Sequence, residues 1–346
     1  MIIAAEITSI LQILFVLSLI RKKYKNKKNV SVDFLFLNNY VNDRTIKAVQ
    51  DLLVDYEYPV RYFDYRNQKR KIISDNKTSY DTLILRSRIP TSSSNRFIFY
   101  RGYFVSTGNC DNSKLAQISL TFKKMYTVDD GLSNWEGGDG DPGYLRSVLS
   151  NRKASLPIIF SKVIPLSSFV EHFSIFSIAK RYSIMHEFSA TTERLSLSYD
   201  KDYEVEDLFI GIWPAFKEDR LSTKNADCQM KVFCDFIKNN NIDYKERKYF
   251  IKYHPKYNLD NSLCSEVNFV KLKEVYANAP LEVIVNRFPN LKNIYGFPST
   301  CFYLMSNISD KEVNINIFVR KGDDRYFPER AQTIKHFNRN VNLIYI

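Results

Sequence analysis

Along the chain, short apolar runs are interspersed with longer stretches in which apolar residues recur at every third or fourth position. Short runs bounded by turn residues are typical of buried strands, and the longer periodic stretches are typical of helices. In the first part of the chain they predict strands at 32–37, 60–65, 82–85, 97–105 and 125–128, and helices at 45–54 and 114–123. From residue 205 they predict strands at 208–213, 249–253, 267–270, 291–295 and 313–318, and helices at 227–238, at 281–288 and from residue 299.

Strands and helices that alternate in this way indicate α/β domains with a largely parallel sheet. The chain has 346 residues, which is enough for two domains of ordinary size. The polar, acidic stretch at 198–207 separates the two series of elements and is predicted to be the hinge between the domains. We therefore predict an α/β fold with one domain at 30–200 and a second at 205–346.

The amino-terminal segment has a composition of its own. Residues 10–20 are nearly all apolar, and a basic run follows directly, made of Arg21, Lys22, Lys23, Lys25, Lys27 and Lys28. A cleaved signal peptide has its basic residues before the apolar stretch, so this segment fits one poorly. We predict that residues 1–29 contact the anionic cytoplasmic surface of a membrane through a helix, and that the first strand begins only at Val32. The alternative is a buried first helix of the folded domain.

The amino-acid composition favours some classes of binding partner and disfavours some kinds of site. Lys and Arg number 50 against 38 Asp and Glu, which leaves a net charge of +12 and favours anionic partners. A nucleic-acid partner is disfavoured, because the sequence has no recognised nucleic-acid-binding motif. The ten glycines leave little material for glycine-rich nucleotide loops, and the five scattered cysteines with four histidines indicate reduced thiols and no structural zinc.

Three short motifs follow predicted strands, where doubly wound α/β domains bind their ligands. The motifs are Asp129-Asp130-Gly131 after the strand at 125–128, His254-Pro255 after that at 249–253, and Ser299-Thr300 after that at 291–295. Each has an ordinary explanation by itself, as a turn, a chance dipeptide or a helix N-cap. Their order along the chain carries more information than any one of them.

In this order the motifs resemble those of bacterial sialyltransferases, in particular the alpha-2,8-polysialyltransferase-like family. In that family the acidic motif lies in the first domain and the other two lie in the second, with a glutamate between the two later motifs. Glu282 occupies that intermediate position here. The resemblance extends over residues 129–308 and implies a GT-B type fold, in which two Rossmann-like domains face each other across a cleft.

The resemblance also implies an activity, the transfer of sialic acid from CMP-sialic acid to an acceptor hydroxyl with inversion. Such a transfer needs a base for the hydroxyl and a proton or a positive field for the departing phosphate. By family position Asp129 is the base, Asp130 is the neighbour that holds or replaces it, and His254 binds and protonates the CMP phosphate. No cofactor and no metal are implied, because CMP leaves as a monoester and develops less charge than a diphosphate.

The remaining motif residues are implied to bind the donor. Pro255 restricts His254 to extended backbone at the strand end. Ser299 and Thr300 would hold the phosphate together with the backbone N–H groups of the helix start. Glu282 would accept hydrogen bonds from the ribose hydroxyls.

The glycine-rich stretch at 135–144 has two interpretations. Asp139-Gly140-Asp141 is a D-x-D sequence, which binds manganese and a donor diphosphate in another glycosyltransferase fold. It follows two glycines rather than an apolar strand, so we interpret it as a loop that covers the acceptor. Trp135 and Tyr144 are then available to stack on sugar faces and are predicted to bind the acceptor.

These observations together predict an inverting, metal-independent sialyltransferase at the cytoplasmic face of a bacterial inner membrane, either bound peripherally or held by a single membrane anchor in residues 1–20. Its predicted substrates are CMP-sialic acid and a hydroxyl, such as one of galactose, on a lipid-linked glycan of lipopolysaccharide, O-antigen or capsule. Three alternatives stay open: an alpha-2,8-polysialyltransferase of capsule synthesis, a CDP-glycerol-type transferase of the same fold, and a non-catalytic sugar-binding relative. The presence of both the acid and the base motif disfavours the last.

Overall fold

The computed structural model covers the whole chain and describes residues 1–7, 9–36, 41–64, 79–86, 96–100, 103–110, 114–128, 171–175, 180–201, 203–211, 223–240, 243–253, 266–308, 312–319, 328–338 and 340–346. The chain divides into two compact units, Met1–Thr191 and Thr192–Ile346. Each unit contains a sheet with parallel strands and helices, so the predicted α/β class is confirmed.

The first unit is built on a sheet with the strand order β3-β2-β1-β4-β7-β6-β5, and β8 pairs with β7. Its strands are β1 (Ile2–Glu6), β2 (Ser31–Phe36), β3 (Val60–Asp64), β4 (Ser79–Arg86), β5 (Arg96–Tyr100), β6 (Tyr103–Cys110), β7 (Lys114–Val128) and β8 (Glu171–Phe173). Its helices are α1 (Ile10–Tyr24), α2 (Asp43–Leu52) and α3 (Met185–Ser196), and α3 continues into the second unit. Neighbouring strands are parallel except β6, which is antiparallel to β5 and β7.

Strand β1 lies inside this sheet, between β2 and β4. Ile3 pairs with Val32 on β2 and with Thr82 on β4. The prediction that the first strand begins at Val32 is therefore wrong. The long apolar run concealed a break between strand and helix at Ser9, whose hydroxyl caps α1 by accepting a hydrogen bond from the Gln12 amide at 3.2 Å.

Helix α1 is an interior helix of the first unit. Its apolar side chains are buried, and Phe15 contacts Phe188 of α3 with the ring centroids 5.5 Å apart. The basic residues of its last turn form ion pairs within the unit, namely Arg21 with Glu57 at 3.9 Å, Lys22 with Glu187 at 3.5 Å and Lys23 with Glu171 at 3.1 Å. The apolar residues predicted to contact lipid therefore already contact protein. In the part of the chain that the structure describes, no helix has the length and apolar character needed to cross a bilayer.

Two further secondary-structure predictions in the first unit are corrected. The stretch 114–123, predicted as a helix, belongs to strand β7. Its apolar residues Ala116, Ile118, Leu120 and Phe122 alternate with polar ones, which is the period of a strand. The stretch 97–105, predicted as one strand, contains parts of β5 and β6, which pair with each other from Arg96 with Thr107 to Tyr100 with Tyr103.

The second unit has a fully parallel sheet with the strand order β11-β10-β9-β12-β13-β14. Its strands are β9 (Asp207–Ile210), β10 (Tyr249–Lys252), β11 (Phe269–Lys271), β12 (Asn293–Gly296), β13 (Asn314–Val319) and β14 (Val341–Tyr345). Its helices are α4 (Thr223–Asn240), α5 (Glu274–Asn278), α6 (Leu281–Ile284), α7 (Thr300–Ile308) and α8 (Pro328–Phe337). Counted from β9, this is the order 3-2-1-4-5-6 of nucleotide-binding doubly wound sheets.

Aromatic side chains from α4 and the strands form the core of the second unit. Phe233 of α4 is fully buried and stacks on Phe209 of β9, with ring centroids 4.5 Å apart. Cys234, beside it in the core, is disulfide-bonded, whereas the sequence predicts reduced thiols. The predicted hinge stretch lies within this unit, where Tyr203 stacks on Tyr276 at 4.8 Å.

Candidate functional site

In the second sheet, the chain adds strands on one side of β9 up to β11 and then on the other side from β12 onward. Strands β9 and β12 are neighbours, although the chain forms β10 and β11 between them. Ligands of such sheets bind outside the carboxyl ends of the strands at this point, because the connections leave in opposite directions and open a crevice. Ile210 pairs with both Lys252 and Gly296, so β9, β10 and β12 end in the same row.

Gly296 lets the strand end approach its neighbours closely. A Cβ atom at this position would lie 2.8 Å from the carbonyl oxygen of Ile210 and 2.8 Å from the ring of Phe302. The next three residues lead directly to α7, whose first residue is Thr300. Ser299 and Thr300 are partly exposed, so the first turn of α7 presents hydroxyl and backbone N–H groups at the crevice.

Replacement of Gly296 by alanine tests this close approach. We expect Gly296→Ala to lower the free energy of unfolding by about 1–3 kcal/mol, because one of the atoms that the methyl group meets is backbone and cannot rotate away. Gly211→Ala is the matched control at the end of β9, where a Cβ would lie 3.2 Å from the Tyr253 ring, a side chain that can move. Chemical denaturation of both variants measures the difference. Equal losses would contradict the assigned role of Gly296.

Glu282 is a buried carboxylic acid beside this crevice. It lies on α6, is 5% exposed, and burial raises the pKa of its carboxyl group. The positive charge of Lys252, at the end of β10, acts in the opposite direction and lowers the pKa of Glu282. Lys252 is itself buried, and its ammonium group donates a hydrogen bond to the carbonyl oxygen of Ala277 at 2.7 Å. The ammonium group of Lys252 and the carboxyl group of Glu282 are therefore held near each other by separate elements.

Cys301, in the first turn of α7, interacts both with Glu282 and with Ser299. Its free, buried thiol donates a hydrogen bond to the hydroxyl oxygen of Ser299, with sulfur and oxygen 3.3 Å apart. Burial first, and the negative charge of Glu282 second, raise the pKa of the Cys301 thiol to about 12. The thiol therefore stays protonated at neutral pH and is unsuited to act as a nucleophile, which needs the thiolate. Its hydrogen bond restricts the position of the Ser299 hydroxyl group.

Three of the predicted site residues lie at this crevice. Glu282, Ser299 and Thr300 come from α6 and the start of α7 and are brought to one end of the sheet. The other predicted site residues lie outside the described residues: Asp129, Asp130, Trp135, Tyr144, His254 and Pro255, together with the D-x-D aspartates Asp139 and Asp141. The strands that were expected to precede the first two motifs are present, since β7 ends at Val128 and β10 ends at Lys252.

The sequence did not single out Lys252, Cys301 or Gly296. Lys252 lies in a strand of otherwise apolar and aromatic residues, and Cys301 is a single cysteine without a partner motif. Gly296 was detectable, because a glycine between an apolar strand and a Pro-Ser-Thr helix start marks a close backbone approach. Among the described residues, no group of three or more His, Cys, Asp or Glu side chains could hold a metal ion.

Comparison with known proteins leaves the family of this chain open. No protein-family model matches it, and no curated protein matches it significantly.

Proposed function

We propose that the protein is an inverting, metal-independent sialyltransferase that moves sialic acid from CMP-sialic acid to a hydroxyl of a lipid-linked bacterial glycan. One observation carries this proposal: in a sheet with nucleotide-binding strand order, Ser299 and Thr300 follow the switch-point strand β12, and Glu282 is close enough to act on the thiol of Cys301 beside them. In the proposal the two units form a GT-B type enzyme, the first binding the acceptor and the second the donor.

The site supplies the groups that donor binding requires. The phosphate of CMP would lie at the first turn of α7, where backbone N–H groups and the hydroxyls of Ser299 and Thr300 donate hydrogen bonds. The carboxylate of Glu282 would accept hydrogen bonds from the ribose hydroxyls. In the transfer, the bond between the anomeric carbon and the phosphate oxygen breaks as the acceptor oxygen attacks from the opposite face. Asp129 takes the proton of the acceptor hydroxyl and His254 gives a proton to CMP.

Nucleotide binding tests the donor site independently of turnover. We expect the full chain to bind CMP, and Glu282→Ala to weaken this binding about tenfold or more, because hydrogen bonds to a charged group contribute about 1.5–3 kcal/mol. Glu274→Ala, at an exposed glutamate of α5, is the matched control and should bind as the unaltered chain does. Calorimetric titration measures the three affinities. Unchanged CMP binding by Glu282→Ala would count against the assignment.

The charge of Lys252 should set the pH range in which Glu282 binds ribose. Because the carboxylate is the binding form, affinity should rise as the pH increases through the pKa of Glu282. Lys252→Met removes the charge that lowers this pKa, so the pKa rises and the binding curve should shift to higher pH. Cytidine is the probe, since it lacks the phosphate that His254 would contact. If cytidine binding has the same pH dependence in the unaltered chain and in Lys252→Met, the charge of Lys252 does not set the pKa of Glu282.

The proposed place of the enzyme is the cytoplasmic face of the inner membrane, bound peripherally. Lys25, Lys27 and Lys28 are exposed in the turn after α1, and exposed lysines are attracted to anionic lipid. Sedimentation with vesicles of anionic or neutral lipid tests this. Binding should require anionic lipid and should be lost when the three lysines are replaced by serine together.

A further inference from the structure

Strand β14 forms one edge of the second sheet. It pairs with β13 on one side, and no strand of the described residues pairs with its other side. Two hydrogen bonds fix how β14 faces β13: the Ile315 amide donates to the carbonyl oxygen of Asn340 at 2.9 Å, and the Ile346 amide donates to that of Val319 at 3.0 Å. In a parallel pair, alternate residues of a strand bond to the same neighbour. The even-numbered residues of β14 therefore bond to β13.

The odd-numbered residues of β14 face the open side of the sheet. Val341, Leu343 and Tyr345 direct their backbone N–H and C=O groups to that side. Leu343 is partly exposed and Tyr345 is 57% exposed, so the edge is accessible. A row of unpaired backbone groups at the edge of a sheet is a template for another strand.

This edge lacks the usual protection against pairing. Natural sheets protect exposed edges with charged side chains, proline, bulges or very short strands. The opposite edge of the same sheet follows this rule, because β11 has three residues and ends in Lys271. Strand β14 has five residues, V-N-L-I-Y, without a charged residue, a proline or a glycine. Its open side is therefore suited to bind a further strand.

The charges of the chain indicate which strand pairs here. The net charge is +12, so acidic partners are expected to bind at basic side chains, and residues 340–346 contain none. A neutral edge matches a neutral strand, and β14 of a second copy is such a strand. Two copies repel each other through their net charge, but at this edge they meet without opposed like charges.

Two copies of β14 fit together in an antiparallel register centred on Leu343. In this register Leu343 lies opposite the same residue of the second copy, and Val341 lies opposite Tyr345. All outward-facing positions then form hydrogen-bonded pairs, so each of their donors meets an acceptor. The ring of Tyr345 also gains a β-branched neighbour, which is a favourable cross-strand pair.

We propose that β14 is a homodimer interface, through which two copies join their second sheets edge to edge about a two-fold axis. A five-residue edge buries less surface than the total of about 1,200–2,000 Å² that a stable complex buries, so the dimer dissociates reversibly. Strand β13 separates β14 from β12, after which the donor site begins. CMP binding by each chain is therefore independent of dimer formation.

Sedimentation equilibrium of the full chain tests the interface. We expect a monomer–dimer equilibrium, and Tyr345→Pro should raise the dissociation constant about tenfold or more, because one N–H donor is lost from each copy. Proline is tolerated at an outward-facing position of an edge strand and leaves the ladder with β13 intact. Tyr345→Ala is the matched control, since it loses the same ring but keeps the N–H group, and it should dimerise more tightly than Tyr345→Pro. Equal dissociation constants in the two variants would overturn the proposal.

Cross-linking tests the register. Leu343→Cys places two cysteines opposite each other with their Cα atoms about 5.5 Å apart, within the range of a disulfide. Asn342→Cys, at an exposed neighbouring position, is the control, because its two cysteines lie on a diagonal about 7–8 Å apart. After oxidation, non-reducing electrophoresis should show more covalent dimer for Leu343→Cys than for the unaltered chain, and no such increase for Asn342→Cys. Equal cross-linking of both variants would contradict the register.

Hydrogen exchange tests the interface without any substitution. As the concentration of the unaltered chain rises, the amides of Val341, Leu343 and Tyr345 should become protected, whereas the amides bonded to β13 should be protected throughout. A chain that stays monomeric at the highest concentration measured, or that dimerises without this protection, would overturn the interface. CMP binding by such a chain would leave the proposed function standing.

Discussion

Removal of residues 1–28 is expected to leave an insoluble and inactive protein. The deletion takes away β1, which pairs with β2 on one side and β4 on the other, and α1, which is buried among the other elements of the first unit. Its large apolar side chains that are at most 1% exposed are Ile3, Ile7, Ile13, Leu14, Phe15, Val16, Leu17, Leu19 and Ile20. Burial of each contributes about 1.5–3 kcal/mol, so their loss exceeds the stability that a domain can spare.

A matched variant separates this structural role from membrane contact. The triple replacement of Lys25, Lys27 and Lys28 by serine keeps β1 and α1 and changes only exposed positions. It should remain folded by circular dichroism and in the supernatant after centrifugation, while the truncated chain should not. A truncated chain that is soluble, folded and active would show that residues 1–28 are dispensable, against the pairing of β1 in the sheet.

The second large effect that we expect is a loss of turnover when Asp129 is replaced by alanine. Asp129→Ala should reduce turnover by about 10²–10⁴-fold, the usual contribution of a general base, while leaving CMP binding unchanged. The residue directly follows β7, whose last residue, Val128, pairs with Arg86 of β4, so the preceding backbone is fixed by the sheet. Single-turnover kinetics with saturating donor and acceptor measures the chemical step.

Asp130 provides the control for this assignment. Asp130→Ala should cost less than Asp129→Ala, because in the proposal it only holds or orients its neighbour. If Asp130→Ala is the more damaging change and Asp129→Ala is tolerated, the roles of the two carboxylates are reversed. Calorimetry with CMP distinguishes lost chemistry from lost donor binding in either variant.

Local sequence pattern predicted most elements of the second unit, because they differ clearly in period and are separated by turn residues, but it did not predict α5, α8 or β14. The strands ending at Lys252 and Gly296 and the helix beginning at Thr300 lie within a few residues of their predicted positions. These predicted strand ends were sufficient to place the candidate site, because ligands of such sheets bind beyond the carboxyl ends of the strands. Lys252 could not be found in the same way, because its proximity to Glu282 depends on how α5 and α6 pack beside β10.

The first unit shows where local pattern is insufficient. An apolar run that contains a buried strand, a serine cap and a buried helix has the same composition as a membrane-contacting segment. The distinction depends on pairing of β1 with β2 and β4, which is a long-range contact.

The central claim is that the chain transfers sialic acid, and one reaction tests it most directly. The purified full chain is incubated with CMP-sialic acid and a galactose-terminated oligosaccharide in the presence of EDTA, and the products are analysed by mass spectrometry. The predicted result is an acceptor heavier by one sialic acid residue, with release of one CMP for each transfer. Transfer from CDP-glycerol without any reaction of CMP-sialic acid would contradict sialic acid transfer. Transfer from CMP-sialic acid that occurs only after Mn²⁺ is added would contradict the metal-independent mechanism.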